Sequence, residues 1–172
     1  MNLSAHLDTQ FRLAGMNDLP AIVEIYNSTI AGKMSTADTE PQSVQSRQEW
    51  FREHDPAKRP LWVLEGASGM IGWISLQSFY GRPAYDQTAE ISIYIGEKYR
   101  GKGMGSKSLE YAISQGNTLG IRSLVGFIFA HNMASIRLFE KFGFDRWGFL
   151  PRIAILDGEE KSLLILGKRL KP

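Results

Sequence analysis

"TAEISIYIGEKYRGKGMGSKSLEYA", residues 88–112, changes its period halfway along. Up to Ile95 it alternates: Ala89, Ile91, Ile93 and Ile95 point one way, and Thr88, Glu90, Ser92 and Tyr94 point the other. That is the pattern of a strand buried on one face. Within "YRGKGMGSKS", residues 99–108, three glycines and three cations then share ten positions, and a helix is expected from there to about Leu119. A strand that ends in a glycine-rich loop opening a helix suits an anion. Gly101, Gly103 and Gly105 can take positive φ and let backbone N–H groups approach a ligand closely, while the helix N-terminus adds partial positive charge.

Two nucleotide loops look similar and fail on the same residue. A triphosphate loop, G-x-x-x-x-G-K-[ST], and a dinucleotide loop, G-x-G-x-x-G, both require glycine where this chain has Ser106. "LGIRSLVG" offers no acid for a ribose, and "LVGFIF" ends in no Asp able to hold magnesium. What fits is Arg-x-x-Gly-x-Gly at Arg100, Gly103 and Gly105, with Lys98, Lys102 and Lys107 adding local charge. A pyrophosphate is the natural guest. The alternative is a glycine turn beside a solvated basic face.

Outward from this stretch the elements follow in order. "FRL" from Phe11 is a first strand. Asn17 and Asp18 are cap candidates, and Pro20 lies in the first turn of a helix over "LPAIVEIYNSTI", where Ile22, Ile25, Tyr26, Thr29 and Ile30 share a face. "TEPQSVQSRQEWFREH" reads as a second helix entered through Pro41. "LWVLEG" and "MIGWISLQSF" are strands around a turn at Ser68-Gly69. Beyond the central stretch, "IRSLVGFIF" is a strand, and Asn132 caps a helix "NMASIRLFEKF" that Gly143 ends. Closing strands are expected around Phe144–Leu150 and Lys161–Leu166, with a turn at Asp157-Gly158. The order βααβββαβαββ predicts an α/β fold on a mixed, mostly antiparallel sheet flanked by about four helices.

Composition narrows the function. The 172 residues predict a single domain over 1–172, and 43% hydrophobic with 22% charged residues is ordinary for a globular protein. No cysteine occurs, which excludes disulfides, thiolate metal sites and a Cys nucleophile, and suits a reducing, cytoplasmic setting. His6, His54 and His131 have no metal-ligand spacing, so no metal is expected. "MNLSAHLDTQFRLAG" lacks the apolar core of a signal peptide, and no run is long enough to span a membrane. A net charge of +2 is too mild to predict nucleic-acid binding.

"YRGKGMGSKSLEYA" followed by "HNMASIRLFEKFGF" resembles the acetyl-CoA binding core of the GCN5-related N-acetyltransferases (GNAT). "TADTEPQ", "YGRPAYDQTAEISIYI" and "SIRLFEKFGF" are similar to the bacterial phosphinothricin N-acetyltransferase branch, and the likeness runs from about Phe11 to the last strand. The resemblance implies the acyl-CoA N-acyltransferase fold and acetyl-CoA as cosubstrate. It implies that Arg100, Gly101, Lys102, Gly103, Met104, Gly105 and Ser106 hold the CoA pyrophosphate. By the same likeness Ile93, Tyr94 and Ile95 pair with the pantetheine arm, their strand splays from the next to open a slot for the thioester, and Asn132 and Ser135 lie beside the arm. Asn132 equally suits a plain helix cap.

"AYDQTAE" matches the family segment that ends in its catalytic glutamate, here Glu90. Acyl transfer needs a neutral amine, and a carboxylate in a desolvated cleft can take the proton. The alternative for Glu90 is a strand glutamate paired with a lysine. Glu40, Arg82 and Tyr85 are the substrate-side residues the resemblance implies; they also suit a helix-start acid and loop surface. Two departures stand out. Phe139 occupies the position where many relatives carry a Tyr or His to protonate the leaving thiolate, and it reads as core. "LDGEEKSLLILGK" lacks the Trp and Asp that phosphinothricin acetylators carry near the final turn. The implied activity is acetylation of a small amine, such as phosphinothricin or methionine sulfoximine, by a cytoplasmic homodimer. Acetylation of a protein N-terminus or an aminoglycoside, or a non-catalytic CoA-binding module, are the alternatives.

Overall fold

The computed structural model describes residues 8–170; His6 and residues 1–7 of the segment read for a leader lie outside them. Seven strands form one sheet in the order β1-β2-β3-β4-β5-β7-β6. They are β1 (Thr9–Leu13), β2 (Leu61–Gly66), β3 (Gly69–Ser78), β4 (Thr88–Ile95), β5 (Ser123–Phe129), β6 (Asp145–Leu156) and β7 (Glu159–Arg169). The helices are α1 (Leu19–Asn27), α2 (Gln48–Arg52), α3 (Met104–Thr118) and α4 (Met133–Lys141). The element order is the expected βααβββαβαββ. Every neighbouring pair is antiparallel except β4 and β5, which run parallel. Among the described residues no helix is long and apolar enough to cross a membrane.

The strand alternation becomes two cores, one on each face of the sheet. Trp62, Ile74, Leu76, Ala89, Ile91, Leu124 and Ile128 face one way and pack with Leu109 and Ala112 of α3 and Ile136 and Phe139 of α4. Leu61, Val63 and Trp73 face the other way and pack with Ile22, Tyr26 and Ile30 on the expected face of α1 and its continuation. Burying each such aliphatic side chain contributes about 1.5–3 kcal/mol. Asp18 stands at the N-cap position of α1, but its carboxylate accepts from Gly15 N and from both terminal nitrogens of Arg12 instead of capping the helix.

Two elements differ from expectation. The second helix is short: a 3-10 turn at Gln45–Arg47 leads into α2, and the residues after Pro41 are not helical. Asn27 accounts for this, because its side chain donates to Gln42 O and accepts from Gln42 N, both at 2.9 Å, so that segment's backbone groups are taken. The strand expected at Phe144–Leu150 instead runs on through Pro151 to Leu156. A register shift between Leu150 and Ala154, with Arg152 at φ 51°, absorbs the proline at the sheet edge.

Candidate active site

β4 is paired with β3 from Ala89 to Ile95, in the register Gly72↔Ile95 to Ser78↔Ala89. Its parallel pairing with β5 covers only Thr88↔Ser123, Ala89↔Leu124 and Glu90↔Val125. β5 turns instead to β7, which it follows to Phe129. The sheet forks directly after Glu90. A cavity of about 770 Å³ opens there, lined by Glu90 through Ile95 on one side and by Phe127 to Phe129 on the other.

Glu90 sits at the apex of the fork. Its sheet neighbours are Gln77 and Val125, and it lies on the face of Trp73 and Val63 rather than on that of α3 and α4. Among the described residues no cation stands within ion-pair distance of its carboxylate, so the alternative of a strand glutamate paired with a lysine is not met. Burial pushes its carboxyl above the ordinary glutamate range, because charge is disfavoured where water is excluded and nothing compensates it.

Tyr94, expected on a polar face, is folded into the second core. Its ring stacks on Trp73 at 4.5 Å, and its hydroxyl donates to Ser35 O at 3.3 Å. Burial raises the phenol well beyond its usual range, so it stays protonated. Ile93 and Ile95 line the cavity from the same strand.

The glycine loop closes the far end. After a 3-10 turn at Glu97–Tyr99, Gly101 and Gly103 take φ +70° and +81°, and a Cβ on either would meet open space. Gly103 is the N-cap of α3, and Arg100 Nε donates to Ile95 O at 3.0 Å, tying the loop to the strand end. Arg100, Gly101, Gly103, Met104 and Gly105 line the cavity; Lys102 and Ser106 do not. Lys107 turns away to donate to Thr9 Oγ1 at 2.8 Å.

Asn132 and Ser135 also line the cavity. Asn132 caps α4 by accepting from Ser135 N at 3.2 Å, and its amide nitrogen donates to Met34 O at 3.0 Å. That second bond points to a wall that sequence reasoning missed. The segment Met34–Ala37 after α1 lines the cavity and is held from three sides. His131 donates to Lys33 O at 2.8 Å, Tyr94 to Ser35 O, and the Tyr26 hydroxyl joins Thr36 to Asp38 at 2.5 Å each. Only the family likeness of "TADTEPQ" touches this segment, and its anchors, Tyr26, Tyr94, His131 and Asn132, lie from 10 to 98 positions away in sequence.

Phe139 is buried as expected: it packs edge-on to Phe144 at 4.8 Å and against Gly126, where a Cβ would come within 2.8 Å of its ring. The structure does not bring the implied substrate-side residues into the cavity lining. Arg82 and Tyr85 belong to the β3–β4 connection, Glu40 follows the wall segment, and all three are exposed and outside the cavity lining.

A fork in a parallel strand pair, a desolvated carboxylate at its apex and a glycine loop opening a helix at its end together suit a ligand with an extended arm and a phosphate group. Comparison with known proteins agrees. The family described as Acetyltransferase (GNAT) domain matches residues 10–145. The chain is 55% identical to YwnH of Bacillus subtilis (strain 168), which carries the provisional name phosphinothricin acetyltransferase, over 92% of this chain and 98% of that one. It is 29% identical to an L-methionine sulfoximine/L-methionine sulfone acetyltransferase of Pseudomonas paraeruginosa, over 96% of this chain and 97% of that one. A GNAT phosphinothricin acetyltransferase from Sinorhizobium meliloti, solved in complex with AcCoA, superposes with a TM-score of 0.88 at 26% identity, covering 94% of this chain and 88% of that one.

Proposed function

The chain belongs to the GNAT acetyltransferase family, and on that premise we propose that it transfers acetyl from acetyl-CoA to the amino group of a small amino-acid analogue of the phosphinothricin or methionine sulfoximine type. The observation that carries this reading is the position of Glu90: unpaired, desolvated and at the fork of the strand that feeds the glycine loop. The loop fits the cofactor. Its two left-handed glycines present bare backbone to the cavity, and a side chain there would stand in the way of a bulky anion.

In this reading Arg100 to Ser106 seat the pyrophosphate on backbone N–H groups, and Ile93, Tyr94 and Ile95 offer the unpaired edge of β4 to the pantetheine arm beside Asn132 and Ser135. Acetyl-CoA supplies an activated acyl carbonyl with a thiolate leaving group. Glu90 accepts the proton of the incoming ammonium, and its raised affinity for protons makes it a stronger base than a solvated glutamate. Arg82 pairs with the substrate carboxylate, and Glu40 and Tyr85 complete the acceptor side. Phe139 carries no proton to give, so the thiolate, whose conjugate acid has a pKa of roughly 8.5, leaves without a dedicated acid. The reading includes a single domain without a metal, working in the cytoplasm as a homodimer. Trp147, Phe149, Ile153 and Ile155 are exposed on edge strand β6, which favours a second copy; a single-chain mass by sedimentation would remove that part.

Thiol release from acetyl-CoA across amino acids, methionine sulfoximine, methionine sulfone and phosphinothricin tests the proposal. Turnover with at least one is expected, and none with any small amine refutes it. Glu90→Gln should cut the rate about 10²–10⁴-fold with acetyl-CoA binding intact; lost binding would make Glu90 structural.

A further inference from the structure

Near Glu90 the cavity is lined by Phe127, which the proposed chemistry does not use and which Phe79, outside the lining, backs. Phe127 lies two residues beyond Val125, the parallel partner of Glu90, so its side chain stands on the same sheet face, immediately past the point where β4 and β5 separate. It lines the cavity, yet it is 36% exposed, although the residues either side of it in β5 are buried. Phe79, just after β3 ends, lays its ring nearly parallel to that of Phe127, 6.5 Å away and at 14°. Tyr85 meets Phe79 edge-on at 5.5 Å, and Tyr80 meets it at 4.6 Å. Tyr80 itself is 79% exposed, at φ +54°.

We infer that Phe127, backed by the near-parallel ring of Phe79, forms the wall that receives the acceptor's side chain, and that Phe127 sets selectivity for amines whose side chain is uncharged and apolar or sulfur-bearing. This rests on the acetyltransferase reading and narrows it: of the two acceptor types named there, it favours methionine sulfoximine over phosphinothricin, whose phosphinate is anionic. An amine held at Glu90 must project its α-substituent along the fork. On this face the first group it meets past Val125 is the Phe127 ring. Aromatic faces are electron-rich and offer no hydrogen-bond donor, so an anionic end group gains nothing there, whereas methyl, methylene and sulfur groups gain contact. Among acceptors of equal length the wall ranks norleucine, methionine and methionine sulfoximine above glutamate. Glycine, which has no side chain, makes no use of it.

The test is kcat/KM for glycine, norleucine, methionine sulfoximine and glutamate with the wild-type protein and with Phe127→Ala and Phe127→Leu, acetyl-CoA affinity being measured on each. The wild type should prefer norleucine to glutamate by at least about tenfold. Phe127→Ala should lower the norleucine-to-glycine ratio by about tenfold or more, and Phe127→Leu should restore much of it. An unchanged ratio, or a wild-type preference for glutamate, overturns the assignment of the wall while leaving the acetyltransferase reading in place. Absence of turnover by the wild type with every amine removes both. A variant that no longer binds acetyl-CoA assigns Phe127 to the fold and overturns its role in selectivity.

Discussion

Gly72→Ala should injure both the fold and the cofactor side of the cavity through one methyl group. Gly72 lies opposite Ile95 in the β3–β4 ladder. A Cβ built there falls 2.5 Å from the Tyr94 carbonyl oxygen, 2.7 Å from Ile95 Cδ1 and 3.2 Å from Ile95 Cα. Comfortable contact between such atoms lies near 3.5 Å, so the closest approach is short by about 1 Å. Ile95 Cδ1 is the tip of a flexible side chain and can rotate away. The other two atoms are backbone, and they yield only if β4 moves off β3. Overpacking of this kind costs about 1–3 kcal/mol, and the backbone contact argues for the upper half of that range. The displaced atoms belong to Tyr94 and Ile95, whose opposite edge is proposed to meet the pantetheine arm, so KM for acetyl-CoA should rise about tenfold while KM for the amine changes little. Urea denaturation measures the first effect and steady-state kinetics the second. A stability change under about 0.5 kcal/mol, the size of an ordinary surface substitution, together with an unaltered acetyl-CoA KM, would show that β4 is not held against β3 as closely as described.

Two further predictions concern protons. Burial raises the Glu90 carboxyl above its ordinary value of 4.5, so the acid limb of kcat/KM should lie above the usual glutamate range and vanish in Glu90→Gln. A folded pKa raised above the unfolded one means that the native state holds its proton longer, and stability falls as pH rises through that window. Glu90→Gln should therefore be more stable than wild type at pH 7 and lose that advantage at pH 4 or below; a Gln variant less stable at pH 7 contradicts the desolvation argument. Asp18 has the opposite sign. Hydrogen bonds from Arg12 at 2.7 and 2.8 Å hold its carboxyl below the usual range, so its contribution is present above the unfolded pKa and lost as pH falls through the folded one. Because Arg12 is partly exposed, Asp18→Asn should cost only about 1 kcal/mol at neutral pH and nothing in strong acid, measured by denaturation at both pH values.

What the sequence made legible is what local pattern governs. The alternation of residues 88–95, the positive φ of Gly101 and Gly103 and the cap at Asn132 each depend on neighbours a few positions away, and the structure shows each as read, whereas Gly105, read with the other two, lies inside α3 without positive φ. The failures involve partners distant in sequence. "TEPQSVQSRQEWFREH" has helical composition, yet Asn27 holds Gln42 outside the helix. Pro151 looks like a strand end, yet a bulge on an outer strand carries β6 past it. Tyr94 sits in the polar register of its strand, but Trp73 and Tyr26 supply an aromatic bed on that face. The fork was implied by the family resemblance and not by the residues themselves. Nothing in β4 or β5 alone says that their pairing stops at Glu90; that depends on β7 drawing β5 aside. Phe127 accordingly read as one more apolar residue of a buried strand.

The fork also bears on self-association. An unpaired strand edge normally invites another chain, and proteins blunt such edges with charge, proline or a cover. Here the free edge of β4 lies in the middle of the sheet, between β3 and β5, and its mouth is bounded by the Met34–Ala37 segment and α4. A single extended arm can slide into that slot, but a strand from a neighbouring molecule would bring side chains on both faces and collide with them. The protein can therefore keep backbone donors and acceptors permanently on offer to a slender ligand without exposing a template for aggregation.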